Sequence, residues 1–153
     1  MTVRDDAVAE LGARIGDTFG PSRWIDIDQK MISGFGTITH DEQFIHMDPD
    51  HAADTPLGGT IAHGFLTLSL ASRMAYDCFA PLPGQTMGIN YGMDRLRFLN
   101  PVRPGQRVRG RFVLSSVSAR GEDALMRTTA LTIEIDGEDK PALVADWLGL
   151  VVF

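Results

Sequence analysis

Residues 61–79, IAHGFLTLSLASRMAYDCF, set the tightest limit on what this chain can fold into. Up to Ser72 the only side chain here that can carry charge is His63. Read as a helix, the stretch points apolar side chains in every direction, so it must be covered on nearly all sides. Ala62, Gly64, Ser69, Ala71 and Ser72 are small enough to let other backbone come close. At about 1.5 Å per residue such a helix is roughly 30 Å long.

The rest of the chain, from residue 86 to the C-terminus, reads as strand. Residues 86–98 run through Gly-Ile-Asn-Tyr to Arg95-Leu-Arg-Phe98, and Asn100-Pro101 and Arg103-Pro104-Gly105 punctuate a turn. Residues 107–118 alternate, with Arg107, Arg109 and Arg111 on one face and Val108, Phe112 and Leu114 on the other. Residues 125–135 alternate too, and Asp136-Gly137 is a hairpin signal. Residues 142–153 are almost continuously apolar, as in a strand buried on both faces. Four long strands in hairpin succession pair antiparallel. A curved sheet of about five strands wrapped around one buried helix is an α+β hot-dog fold. Such a sheet leaves an open edge, so a second copy is expected to complete it as a homodimer.

The N-terminal third is shorter-ranged. Residues 4–14 suit an amphipathic helix through Val8, Leu11 and Ile15. Trp24–Ile27 reads as a short strand, and Asp28 is a helix N-cap for Gln29–Ile32. Residues 39–60 form a long polar loop holding three of the four histidines, with a helical turn after Pro49. Loops of this length in compact domains are usually functional or disordered, and Phe44, Ile45 and Met47 argue against disorder.

A chain of 153 residues is one domain, 1–153, large enough to bury a core without staples. Cys78 is its one cysteine, which excludes an internal disulfide. The first residues lack the apolar run of a secretory signal, and no segment suits a membrane span. A cytoplasmic location away from membranes is expected. A net charge of −6 speaks against nucleic acid as a partner. The charge is uneven: residues 1–60 hold eleven acidic and four basic side chains, whereas Arg95 to Arg120 contains seven Arg and no acid. That stretch is either a solvated sheet face or a site for a phosphate-bearing ligand.

The chemistry is concentrated in Thr39-His-Asp41-Glu-Gln-Phe-Ile-His46-Met-Asp48-Pro49 and in Gly58-Gly59-Thr60-Ile61-Ala62-His63-Gly64. An Asp with a His five residues on is common by itself. The whole string resembles the hydratase-2 signature of MaoC-like dehydratases and (R)-specific enoyl-CoA hydratases, through Asp41, His46, Asp48 and Gly59–Gly64. The likeness runs on through Gly88–Gly92 and Arg95–Phe98, and is nearest to single-hot-dog members of the nodulation-protein-N type.

The resemblance implies reversible hydration of a trans-2-enoyl-CoA to the (R)-3-hydroxyacyl-CoA, without cofactor or metal. It implies Asp41 and His46 as a pair sharing one water and the Gly64 amide as donor to the enolate oxygen. It also implies Ser72 in the acyl pocket, with Asn90 and Tyr91 among the substrate-binding residues. The substrate is an acyl-CoA or acyl-carrier-protein thioester, and Arg95 and Arg97 are candidates for its phosphate-bearing end. An imidazole titrates near neutrality, and a helix N-terminus supplies free N–H groups, so the chemistry fits the residue types. His40 departs from the pattern, which has Gly before the Asp; where φ is positive His is tolerated less well than Gly.

Other readings are weaker. His63 suits a structural role bonded to the loop, and Asp48 a cap. The histidine spacings are not those of a helix-borne metal site. Gly34-Phe-Gly36 lacks a dinucleotide fingerprint's third glycine, and no nucleophile elbow occurs. Two alternatives to the hydratase remain: a hot-dog acyl-CoA thioesterase and a non-catalytic acyl-thioester-binding protein.

Overall fold

A computed structural model describes residues 2–153. In chain order it contains α1 (Val3–Gly12), β1 (Thr18–Phe19), β2 (Ile25–Asp26), α2 (Gln29–Thr39), α3 (Phe44–Met47), α4 (Pro49–Ala53), α5 (Gly64–Ser69) and α6 (Ala71–Cys78). Four long strands complete it: β3 (Met87–Phe98), β4 (Arg107–Arg120), β5 (Ala124–Ile135) and β6 (Leu143–Val152). One antiparallel sheet runs in the order β1-β4-β5-β6-β3, with β2 also paired to β4. Its inner face carries Val108, Phe112, Leu114, Leu125, Leu131, Ile133 and Leu143, all essentially inaccessible, and Met74 of α6 packs on it. This is the hot-dog arrangement of a helix held in a curved antiparallel sheet.

Three expectations are corrected. The four long strands are not all in hairpin succession: β3 pairs with β6, so the chain crosses from one edge of the sheet to reach β4. The two-residue strand β1 went unread because it is too short to show alternation. The helix is shorter than 61–79 and interrupted. Ile61 N–H donates to the Ile45 carbonyl (3.0 Å) and Ala62 N–H to the Val102 carbonyl (2.7 Å), which hold the approach extended until Gly64. At the junction the Ser69 hydroxyl donates to the Leu66 carbonyl (2.7 Å), a back-bond that bends helices, and Leu70 (φ −74°, ψ −12°) links α5 to α6. Nor is the rod covered all round: Phe65 and Tyr76 are exposed.

Local chemistry explains the remaining elements. Asp28 caps α2 by accepting from Met31 N–H at 2.7 Å. Asp48 caps α4 by accepting from His51 N–H at 3.0 Å, with Pro49 in the first turn. α1 buries Ala7 and Leu11, but Ile15 lies beyond its end and is exposed. Among the described residues no helix is long and apolar enough to cross a membrane.

α2 runs seven residues past Ile32 and ends in a left-handed residue, His40 (φ 61°, ψ 19°). The position before Asp41 therefore does require positive φ, and His40 bears the strain of occupying it. We expect His40→Gly to raise stability by about 1 kcal/mol. Thermal unfolding measures this; an unchanged or lower stability would contradict it.

Candidate active site

The loop and the start of α5 are tied together by polar side chains. Gln29 donates from Nε2 to the His46 carbonyl (2.7 Å) and accepts from the Thr60 hydroxyl (2.6 Å), so α2 clamps both motif segments. His46 sits on the single-turn α3, buried, and its Nδ1–H donates to the Ile61 carbonyl at 2.7 Å. That bond fixes the tautomer and leaves Nε2 bare as an acceptor. His63, fully buried, donates from Nε2 to the Asp41 carbonyl at 2.8 Å, which pins the backbone of the residue after His40. The expected structural role of His63 is therefore seen. Its Nδ1 has no hydrogen-bond partner among the described residues.

Gly36 makes this packing possible. A Cβ there would stand 2.9 Å from the Asp41 carbonyl oxygen and 2.5 Å from Met47 Sδ, so only glycine lets α2 lie against the loop.

The result is a compact trio. Asp41, His46 and His63 each bring a side-chain oxygen or ring nitrogen within 4.8 Å of the others. The two imidazoles stack, with centroids 3.8 Å apart and planes 28° apart. Ring lone pairs lie in the ring planes, so theirs run nearly side by side instead of converging on one centre. Each ring also spends a nitrogen on a backbone carbonyl. The trio is thus built as a hydrogen-bonded group and is a poor geometric match to a tetrahedral metal centre. Asp41 is exposed in the single chain, because it comes directly after the open left-handed end of α2.

Burial lowers the His46 pKa below its ordinary 6.5, and the neighbouring His63 adds to this; the Ile61 carbonyl and Asp41 oppose it without reversing it. His46 is therefore a neutral base at pH 7. Since the unfolded chain binds this proton more readily, the contribution of His46 to stability is lost as pH falls below about 6.5.

Gly64 is the first residue of α5, and its N–H has no acceptor among the described residues. Gly64 lines a cavity of about 330 Å³ together with Ile61, Ala62, Thr67, Phe98 and Val102, and neither Asp41 nor His46 reaches its wall. A Cβ at Gly64 would stand 2.9 Å from the Phe98 ring, so the missing side chain makes room for that ring against the start of α5. Ser72, Asn90 and Tyr91 lie further along the rod, where Asn90 Nδ2 donates to Ser72 Oγ at 3.1 Å. Tyr91 sits at an irregularity of β3, exposed, with the Arg120 guanidinium 5.6 Å from its ring centre.

The arginines divide. Arg107 pairs with Asp136 (2.7 Å), and Arg109 (2.7 Å) and Arg111 (3.0 Å) share Glu134, on the outer face of the sheet. These three form the solvated, ion-paired face that was one of the two readings. Arg95 and Arg97 do not share a face by simple alternation: a bulge between Asp94 and Arg97 gives Arg95 a positive φ (50°) and turns it onto Asp146. Arg97 and Arg103 have no carboxylate partner among the described residues.

The sequence matches the family model described as the MaoC like domain over residues 10–135. The chain belongs to the MaoC-like dehydratase family. Nodulation protein N of Rhizobium leguminosarum bv. viciae is 51% identical over 148 residues, covering 96% of this chain and 92% of that one. The 3-hydroxyacyl-thioester dehydratase Z of Mycobacterium tuberculosis is 40% identical over 141 residues, covering 92% and 93%. A crystal structure of a MaoC-like dehydratase from Rhodospirillum rubrum superposes with a TM-score of 0.74 at 22% identity, over 90% of this chain and 92% of that one. At that identity the match speaks for the fold, and the MaoC-like hot dog is thereby established for this chain.

Two positioning residues escaped sequence reasoning. Gln29 gave no signal beyond standing next to a cap. Thr60 lies within the motif, but nothing local marks it as Gln29's partner.

Proposed function

We propose that this MaoC-like chain hydrates trans-2-enoyl thioesters reversibly to (R)-3-hydroxyacyl thioesters, with coenzyme A as the carrier. The observation carrying this reading is a neutral His46 with a bare Nε2 and the Asp41 carboxylate close to its ring, together with a Gly64 N–H left without an acceptor at the start of α5. The 40% likeness to a 3-hydroxyacyl-thioester dehydratase supports it.

In this mechanism one water lies between Asp41 and His46. His46 Nε2 accepts a proton from it as the water oxygen bonds to C3. The C2–C3 π electrons move onto the thioester oxygen, where the Gly64 N–H and the start of α5 hold the enolate charge. Asp41 accepts a hydrogen bond from the water's other hydrogen and stabilises the imidazolium. The imidazolium then returns its proton to C2. Water has been added in full, and the base is restored. Arg97 and Arg103, lacking carboxylate partners, are available to the phosphates of coenzyme A; Arg95 is already paired.

Incubating the protein with crotonyl-CoA tests the reading. Loss of the enoyl absorbance with formation of (R)-3-hydroxybutyryl-CoA is the expected result. Release of free coenzyme A thiol would mark a thioesterase instead, and tight binding without turnover a non-catalytic carrier. Because His46 must be neutral, kcat/KM is expected to rise through an acid limb below pH 6.5, the ordinary imidazole value. An acid limb above that value would contradict the assignment.

We further propose that the chain acts as a homodimer joined at β3. This strand is the sheet's edge, and it exposes Met87, Ile89, Tyr91 and Phe98. An apolar open edge of this kind is a pairing surface. Light scattering should give about twice the 16.7 kDa of one chain, and Ile89→Arg should return it to one. A monomeric wild type would remove the proposal.

A further inference from the structure

Arg127 stands where an apolar residue belongs. On β5 it shares its face with Leu125, Leu131 and Ile133, which are inaccessible core, and it points inward. Half-buried, it has no ion pair or hydrogen bond among the described residues, and the Phe79 ring lies over it with its centre 4.0 Å from the guanidinium carbon. The neighbouring strands leave room in front of it. Arg127 faces Gly149 on β6, and Gly149 faces Asn90 on β3, so one row across the sheet reads Arg127, Gly149, Asn90. The missing side chain at Gly149 is the floor of a cavity of about 240 Å³, roofed by Ser72, Ala75 and Phe79 of the rod. A second hollow, sharing Ser72, Asn90 and Trp147 with the first, continues along the rod in the direction of Gly64.

We infer that this cavity receives the far end of the acyl chain and that Arg127 reads an anionic group there, so that the preferred substrate is an enoyl thioester ending in a carboxylate. The inference rests on the hydratase reading for its acyl chain. An inward guanidinium without a partner carries a desolvation cost that a ligand carboxylate would offset. Burial does hold the Arg127 pKa below the usual guanidinium value, in keeping with a charge that lacks its counterion. Asn90, Thr129 and Ser72 supply further polar atoms on the cavity wall, and Trp147 an apolar one. From Gly64 to Ser72 the rod rises eight residues, about 12 Å, which sets the scale of the chain to be spanned.

The test compares trans-2-octenoyl-CoA with trans-2-octenedioyl-CoA, which differ only in the terminal group. Wild type is expected to favour the dioyl substrate in kcat/KM by about tenfold or more, the scale of a charge-assisted hydrogen bond. Arg127→Met should abolish that preference, with kcat/KM falling about tenfold or more on the dioyl substrate and not falling on octenoyl-CoA, while Arg127→Lys retains part of it. A wild-type preference for octenoyl-CoA, or an equal loss on both substrates in Arg127→Met, would overturn the inference; equal loss would move Arg127's role to the carrier or to the fold. Should wild type hydrate neither, the hydratase reading fails, and the anion site is judged alone by titrating suberate against Trp147 fluorescence in a Trp24→Phe background. Saturable quenching lost in Arg127→Met upholds the site, and no quenching removes it.

Discussion

Asp41→Asn and His46→Gln are each expected to slow enoyl-CoA hydration by about a thousandfold, within the range for loss of a positioned general acid or base. Both replacements keep the shape of the loop. Asp41 is exposed, and its tie to His63 runs through its backbone carbonyl, which Asn retains. At position 46 a glutamine amide can still donate to the Ile61 carbonyl, so the stability change should stay near 1 kcal/mol. Far-ultraviolet circular dichroism and thermal unfolding verify the fold, and initial rates on crotonyl-CoA give the effect. The loss should fall on kcat and kcat/KM alike, since the lost interactions form only as the water attacks. Wild-type rates in either variant would remove that residue from the chemistry.

The second large effect concerns the Gly64 amide, which a side-chain change cannot normally delete. Here the local geometry permits it. Gly64 is the first residue of α5, a position that proline suits because its N–H is not needed by the helix. The preceding residue, His63, is already extended (φ −56°, ψ 136°), as a residue before proline prefers. The obstacle is the Phe98 ring, 2.9 Å from a Cβ at this position. We therefore place both Gly64→Pro and Gly64→Ala in a Phe98→Ala background. Both variants then carry a Cβ, and only the proline lacks the donor. The proline variant is expected to be slower than the alanine variant by about a hundredfold or more in kcat, the scale for one enolate-stabilising donor. Equal rates would show that the amide does not hold the developing charge.

How much of this was legible in the sequence depended on the range of the interaction. Asp28 and Asp48 announce their caps because a cap is decided within three residues. The faces of β4 and β5 could be read because alternation is local. The motif marked Asp41 and His46, which the structure brings together with His63, although the motif says nothing of Gln29, which holds the loop from another helix. What decides the start of the rod at Gly64 is a pair of carbonyls, Ile45 and Val102, remote from it in sequence. The pairing of β3 with β6 is likewise a tertiary choice that four similar strands cannot encode locally. Arg127 stands between these cases. Its parity with Leu125, Leu131 and Ile133 marks it as inward in the sequence, but only the facing Gly149 reveals that it has a cavity to look into.

Rates for Asp41→Asn, His46→Gln and the double variant on crotonyl-CoA, set against wild type, probe most directly whether the two side chains act on one water. If they do, removing the second partner finds nothing left to lose, and the double variant is predicted to be about as slow as the slower single one. Losses that multiply, so that the double variant is slower by the product of the two single effects, would show the pair acting independently and would contradict the shared-water mechanism.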